Sequence, residues 1–132
     1  PYADASIDIV VLDPPYVHNP GNHITDTRYN NAATTGGMYH DDIMRLYADG
    51  IREAMRVVSS GGQVWVKCKD EVESGRQRWS HIDLHKIAVD LGLYARDLFI
   101  LVPTSATSHS RWKRQFHARK THSYLWVFEK IA

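Results

Sequence analysis

Cysteine is nearly absent from this sequence. Cys68 stands alone, so no internal disulfide can form and no CxxC pair is present to hold zinc. Such usage suits a reducing compartment, and the cytoplasm is the expected location. Long apolar runs are also missing: residues 9–12 and 98–102 fall far short of the ~20 residues a membrane helix needs, and no charged-then-apolar signal segment precedes them. Membrane residence is therefore not expected. No internal repeat and no low-complexity tract is found, and the histidines His18, His23 and His40 lack a ligand spacing such as HExxH, so no metal is expected.

What is present suffices for one domain. The chain has 132 residues, 43% of them hydrophobic and 11% aromatic, enough for a packed core. Its net charge of +1 hides an asymmetry. Residues 1–97 carry 14 acids against 10 Lys or Arg, whereas residues 98–132 carry one acid, Glu129, against six bases. Most of those bases lie in "HSRWKRQFHARKTH", residues 109–122, where Arg111, Lys113, Arg114, Arg119 and Lys120 alternate with Trp112, Phe116 and three histidines. Such a stretch is either a solvated loop or a surface that grips a polyanion while its rings stack on bases.

Strands and helices take turns along the chain. Residues 7–12 read as a strand buried on both faces, as in a parallel sheet. "DDIMRLYADGIREAMRVV" then places Ile43, Leu46, Tyr47, Gly50, Ile51, Ala54, Met55 and Val58 on one helical stripe, with Asp41 and Asp42 at its positive end. "SSGG" is expected to stop that helix with left-handed glycines. Residues 63–67 read as a second strand, "WSHIDLHKIAVDLGL" as a helix ending at Gly92, "DLFILVP" as a third strand and "SYLWVFEK" as a fourth. Trp65, Ile82, Ile87, Leu91 and Trp126 are expected in the core, and Lys67 at the rim or on a phosphate. The order predicts an α/β open sheet with an antiparallel last strand, and in such sheets ligands bind at the carboxyl ends of the strands.

"DPPY", Asp13 to Tyr16, occupies such an end. The amino group of adenine or cytosine is a poor nucleophile because its lone pair is delocalised into the ring. The Asp13 carboxylate and the Pro14 carbonyl could each accept one amino hydrogen, favouring a tetrahedral nitrogen with its lone pair aimed at an electrophilic methyl group. Pro14 and Pro15 make that carbonyl rigid. Tyr16 could stack on the base, a contact worth ~1 to 3 kcal/mol. A base in a duplex must be flipped out to be reached.

These residues resemble the catalytic motif of the S-adenosylmethionine-dependent DNA amino-methyltransferases, which act on adenine N6 or cytosine N4. "SIDIVVLDPPY", "SSGGQVWVK" and "HSYLWVFEK" are similar to successive motifs of the catalytic half of that family. The resemblance implies a Rossmann-like methyltransferase sheet, S-adenosylmethionine as methyl donor, DNA as partner, and catalytic roles for Asp13, Pro14, Pro15 and Tyr16. The clustering of Arg111, Lys113, Arg114, Arg119 and Lys120 makes them the expected substrate contacts, and the resemblance adds His122 and Tyr124 as candidates against the flipped base.

The family's donor-binding strand and FxGxG turn are missing, as is the acid that follows them. The expectation is a partial domain, residues 1–132 being a catalytic half truncated at its N-terminus, with Asp13 only bordering the donor. Donor binding by this chain alone should be weak or absent. A sheet without its first strands would expose an apolar edge at Ile7 to Leu12, a route to self-association. Residues 17–40 are long and polar for a connection and read as a mobile flap or as disorder. Two alternatives stand beside methylation of adenine or cytosine in DNA: structured RNA or the guanine N2 amine as substrate, and a non-catalytic remnant or partner subunit that binds nucleic acid through residues 109–122.

Overall fold

The computed structural model describes residues 1–14, 39–105 and 116–132. Its elements run β1 (Ile7–Leu12), α1 (His40–Val57), β2 (Val58–Cys68), β3 (Glu71–Glu73), β4 (Arg76–Arg78), α2 (Ser80–Asp90), β5 (Tyr94–Leu101) and β6 (Ser123–Glu129). The main sheet has the order β1-β2-β6-β5, and β3-β4 is a separate hairpin. β1 lies parallel to β2, while β6 is antiparallel to both its neighbours, as expected for the last strand.

α1 forms because its polar and apolar residues separate cleanly around the axis. Ile43, Tyr47, Ile51, Ala54 and Val57 are buried, while Asp42–Arg45, Asp49–Arg52 and Glu53–Arg56 pair at i,i+3 on the outer side. Leu46, expected in the buried stripe, is exposed. At the start of the helix the Asp42 carboxylate accepts the Tyr39 backbone N–H at 3.0 Å. At its end the Lys130 ammonium donates to the carbonyls of Met55 and Val58, complementing the negative pole of the helix.

The "SSGG" glycines do not cap this helix. The C-cap is Val58, already extended at φ −74 and ψ 137, and residues 58–68 form one continuous strand. Ile7 pairs with Val58 but Ile9 with Gln63, so the extra residues of β2 are accommodated in a bulge. Gly61 takes a left-handed φ of 77 there. A Cβ on Gly62 would come within 2.8 Å of the Asp8 carbonyl oxygen and 2.7 Å of Val58 Cγ2, so only glycine lets β1 approach. α2 ends where the sequence says it should: Gly92, at φ 98, follows it, and the Leu93 N–H donates to the Ala88 carbonyl at 3.0 Å in a Schellman turn.

Both helices pack on one face of the sheet, where Ile43, Tyr47, Ile51, Leu84 and Ala88 meet Val64, Val66, Cys68 and Phe128. Ile87, Leu91 and Trp126 are partly buried against this cluster, whereas Ile82, expected inside, is 54% exposed. The strand register puts Ile9, Val11, Trp65, Leu125, Val127 and Phe99 on the opposite face. There Ile9 is 50%, Val11 62% and Phe99 52% exposed, and β1 has no neighbour on its outer side among the described residues. No described helix is long and apolar enough to cross a membrane.

Cys68 closes β2 inside the core. Burial, and then the Asp70 charge, pushes its thiol from 9.0 up to about 12. The folded chain thus holds this proton more tightly than the unfolded chain does. The resulting stability is complete below pH 9.0 and is lost as pH rises towards about 12. Cys68 is expected to resist iodoacetamide in the native protein and to react in urea, and Cys68→Ala should flatten the fall of unfolding free energy over that alkaline window.

Candidate active site

β1 and β2 run in the same direction, and β6 begins where they end. This brings Asp13, Lys67, Cys68, Asp70, His122 and Tyr124 to one end of the sheet. Leu12 is paired with Val66, so Asp13 falls beside Lys67, and Lys67 Nζ lies 3.4 Å from Asp13 Oδ2. Both side chains are partly open to solvent, so this pair positions the carboxylate more than it stabilises the fold. Tyr47 on α1 donates its hydroxyl hydrogen to the Lys67 carbonyl at 2.7 Å, tying the end of β2 to the helical layer. Pro14 is half-buried beside Asp13. Pro15 and Tyr16 lie outside the described residues, as do the greater part of the 17–40 segment and Arg111, Lys113 and Arg114.

At β6, two strand spacings or about 10 Å from β1, aromatic and polar groups form a wall. Tyr124 is buried opposite Cys68, its hydroxyl pushed above its ordinary value by burial and then by the Asp70 charge. Its ring stacks on His81 at 4.0 Å and 13°, and its hydroxyl lies 3.0 Å from His122 Nε2. His81 is held in turn by Asp70: Oδ1 lies 2.8 Å from the ring Nδ1 and accepts the backbone N–H at 3.2 Å. The Trp126 indole donates to the His81 carbonyl at 3.0 Å. Asp70 Oδ2 and Ser80 Oγ, both buried, have no hydrogen-bond partner among the described residues.

Of the basic stretch, Arg119 and Lys120 are described. Arg119 is exposed. Lys120 reaches back to the molecule: Nζ donates to Gln77 Oε1 at 2.6 Å and lies 5.3 Å from the centre of the Trp79 ring. Asp70, His81 and the β3–β4 hairpin were not anticipated from the sequence. The hairpin had a signal, since Ser74-Gly75, at φ 48 and φ 74, is the two-residue turn that joins tightly paired strands.

A cavity of about 310 Å³ lined by Asp8, Ile9 and residues 59–63 lies at the other end of β1 and β2, away from Asp13. Asp13 is no part of that cavity's lining, and the described polar groups at its end of the sheet are side chains of Asp13, Lys67, Asp70, His122 and Tyr124, with no glycine-rich turn among them to receive the ribose of S-adenosylmethionine.

Solved structures share this architecture. TTHA0409 of Thermus thermophilus, a protein assigned as a DNA modification methylase and crystallised with S-adenosyl-L-methionine, matches over 99% of this chain with 20% identity and a TM-score of 0.65. The PvuII DNA methyltransferase, which is cytosine-N4-specific, matches over 98% with 16% identity and a TM-score of 0.64. The chain has the Rossmann-like fold of these methyltransferases. It spans 48% and 44% of their lengths. No family model and no curated protein sequence matches.

Tyr47→Phe removes the hydroxyl donor from the Lys67 carbonyl behind the Asp13 pair. It is expected to lower stability in urea by about 1 kcal/mol with the helical content unchanged by circular dichroism.

Proposed function

We propose that this chain is the catalytic half of a DNA amino-methyltransferase that moves a methyl group from S-adenosylmethionine to adenine N6, with cytosine N4 as the next preference. The observation that carries the reading is the place of Asp13: a half-exposed carboxylate followed by prolines, at the carboxyl end of a parallel strand, in a fold shared with DNA methyltransferases. In such sheets that end is where ligands bind.

In this reading Asp13 and the Pro14 carbonyl accept the two amino hydrogens of the flipped base, and Tyr16 stacks on its ring. Positive charge would develop on the amino nitrogen as it takes the methyl group and the C–S bond breaks with its electron pair left on the donor's sulfur. A fixed Asp13 carboxylate stabilises that charge more than it stabilises the neutral amine, and the surplus N–H proton would leave by way of Asp13 to water. Lys67 holds that carboxylate from the side, leaving its other oxygen for the base. His122 and Tyr124 form the far wall, and the basic segment from Arg111 to Lys120 follows the phosphates. The preference for adenine rests on resemblance in the motif.

The methyl donor supplies the electrophilic carbon, and its adenosine and carboxylate are held by a second half of the domain. The half-exposed face of Ile9, Val11 and Phe99, together with the free side of β1, fits a seat for that half, because parallel strands are buried on both faces in stable sheets.

In the complete enzyme Asp13→Ala is expected to lower turnover by about 100-fold or more while leaving the melting curve unchanged, measured as methyl incorporation into DNA followed by base analysis. Near-normal methylation would remove Asp13 from the mechanism. Calorimetric titration of the 132-residue chain with S-adenosylmethionine is expected to show weak or no binding. Micromolar affinity would overturn the division of the domain into halves.

A further inference from the structure

The β3–β4 hairpin is short, yet it carries two buried carboxylates. Glu71 and Glu73 project from the same side of β3, and both are withdrawn from solvent. Glu71 Oε1 lies 2.8 Å from His40 Nδ1. Glu73 Oε1 accepts the His40 backbone N–H at 2.7 Å, while its Oε2 accepts Arg78 Nε and Nη2 at 3.0 and 2.7 Å. His40 Nε2 in turn lies 3.2 Å from Asp83 on α2. The hairpin is thus fastened to the first residue of α1 and, through it, to α2.

Its other strand faces the basic segment. The two amide hydrogens of Gln77 are both used, donating to the carbonyls of Glu71 at 2.9 Å and Arg78 at 3.0 Å. That leaves Oε1 pointing outward as an acceptor, and Lys120 Nζ occupies it at 2.6 Å. At the turn, the Gly75 carbonyl accepts from His117 Nε2 at 2.9 Å. Two residues of the segment, three positions apart, are therefore held by two points on the same ladder. An ammonium has three donors; Gln77 Oε1 and, at 3.5 Å, the Ala118 carbonyl take two, so Lys120 is fixed with one donor left for a phosphate.

We propose that the β3–β4 hairpin is the platform that sets residues 117–120 of the basic segment at the mouth of the sheet, with Gln77 as the positioning residue for Lys120 in polyanion binding. The proposal rests on reading that segment as the nucleic-acid face. It adds that an uncharged residue, far from it in sequence, controls how many phosphates the segment reaches.

The test is fluorescence anisotropy of a labelled DNA duplex titrated with the complete protein across a salt series, with thermal melts to confirm folding. The slope of log K against log salt counts phosphates neutralised, at about 0.9 each for duplex DNA. Gln77→Ala removes no charge, so by itself it leaves that count unchanged. It is expected nonetheless to lower the slope by about 0.9 and to weaken binding severalfold at fixed salt. Lys120→Met should show the same loss, Lys120→Arg should retain the slope, and the double variant Gln77→Ala with Lys120→Met should lose no more than either single change. An unchanged slope in Gln77→Ala, or additive losses in the double variant, would overturn the platform while leaving the Asp13 assignment intact. A wild-type slope near zero would instead remove the nucleic-acid face and the platform together, and methyl incorporation by the same protein would report separately on Asp13.

Discussion

The register of β1 against β2 is the constraint on which the rest of the site depends. Side chains alternate across a strand, so a slip of one residue would turn Val10 and Leu12 away from the helical layer and send Asp13 to the opposite side from Lys67. Two features hold that register. Val10 and Leu12 pack against the buried cluster, and the bulge at residues 59–62 lets the strands meet again at Ile9 and Gln63 after a mismatch in length. Gly62 is the point of closest approach, where the Asp8 carbonyl leaves no room for a Cβ. A glycine at one end of the sheet thereby helps decide where a carboxylate stands at the other.

The two faces of the sheet are unequal, and the inequality has chemical meaning. One is sealed by α1 and α2 down to fully buried Val64, Val66 and Phe128, while on the other Val11 and Phe99 remain more than half exposed. A sheet with a parallel pair at its edge ordinarily has cover on both sides. The polar groups gather at one end of the sheet, where Asp13 pairs with Lys67 and His122 meets Tyr124.

Much of this was legible in the sequence because it depends on period and punctuation. The stripe of Ile43, Tyr47, Ile51 and Ala54, the helix stop at Gly92 and the return of β6 all follow from local rules that packing did not overturn. β1 forms where its apolar run places it but is covered on one face and not on both, Ile9 and Val11 being exposed. Ser59–Gly62 misled because glycine after a helix ordinarily caps it, whereas here tertiary pairing extends the backbone from Val58 onward. Ile82 and Leu46 misled because each sits at the margin of an apolar stripe, where a small rotation of the helix exposes it. Asp13 could be singled out by its place after a strand. The wall of Asp70, His81 and Tyr124 could not, since stacking and a buried carboxylate arise only when α2 is laid beside the start of β6.

The hairpin shows why charge in a sequence is a poor guide to exposure. "DEVESGRQR", residues 70–78, carries five charged residues in nine, yet Glu71 and Glu73 are buried and Gln77 is committed by both amide hydrogens. Removing two carboxylates from water is expensive, and an apolar pair of similar size would serve stability as well or better. Carboxylates provide direction instead. Each oxygen of Glu73 receives a different donor, one from the start of α1 and the other from Arg78, so the hairpin can sit in only one orientation relative to the helices. A hydrophobic contact in its place would tolerate sliding. Orientation is what a segment carrying Lys120 needs if its ammonium is to stand at one fixed place, held by Gln77 and over the Trp79 ring.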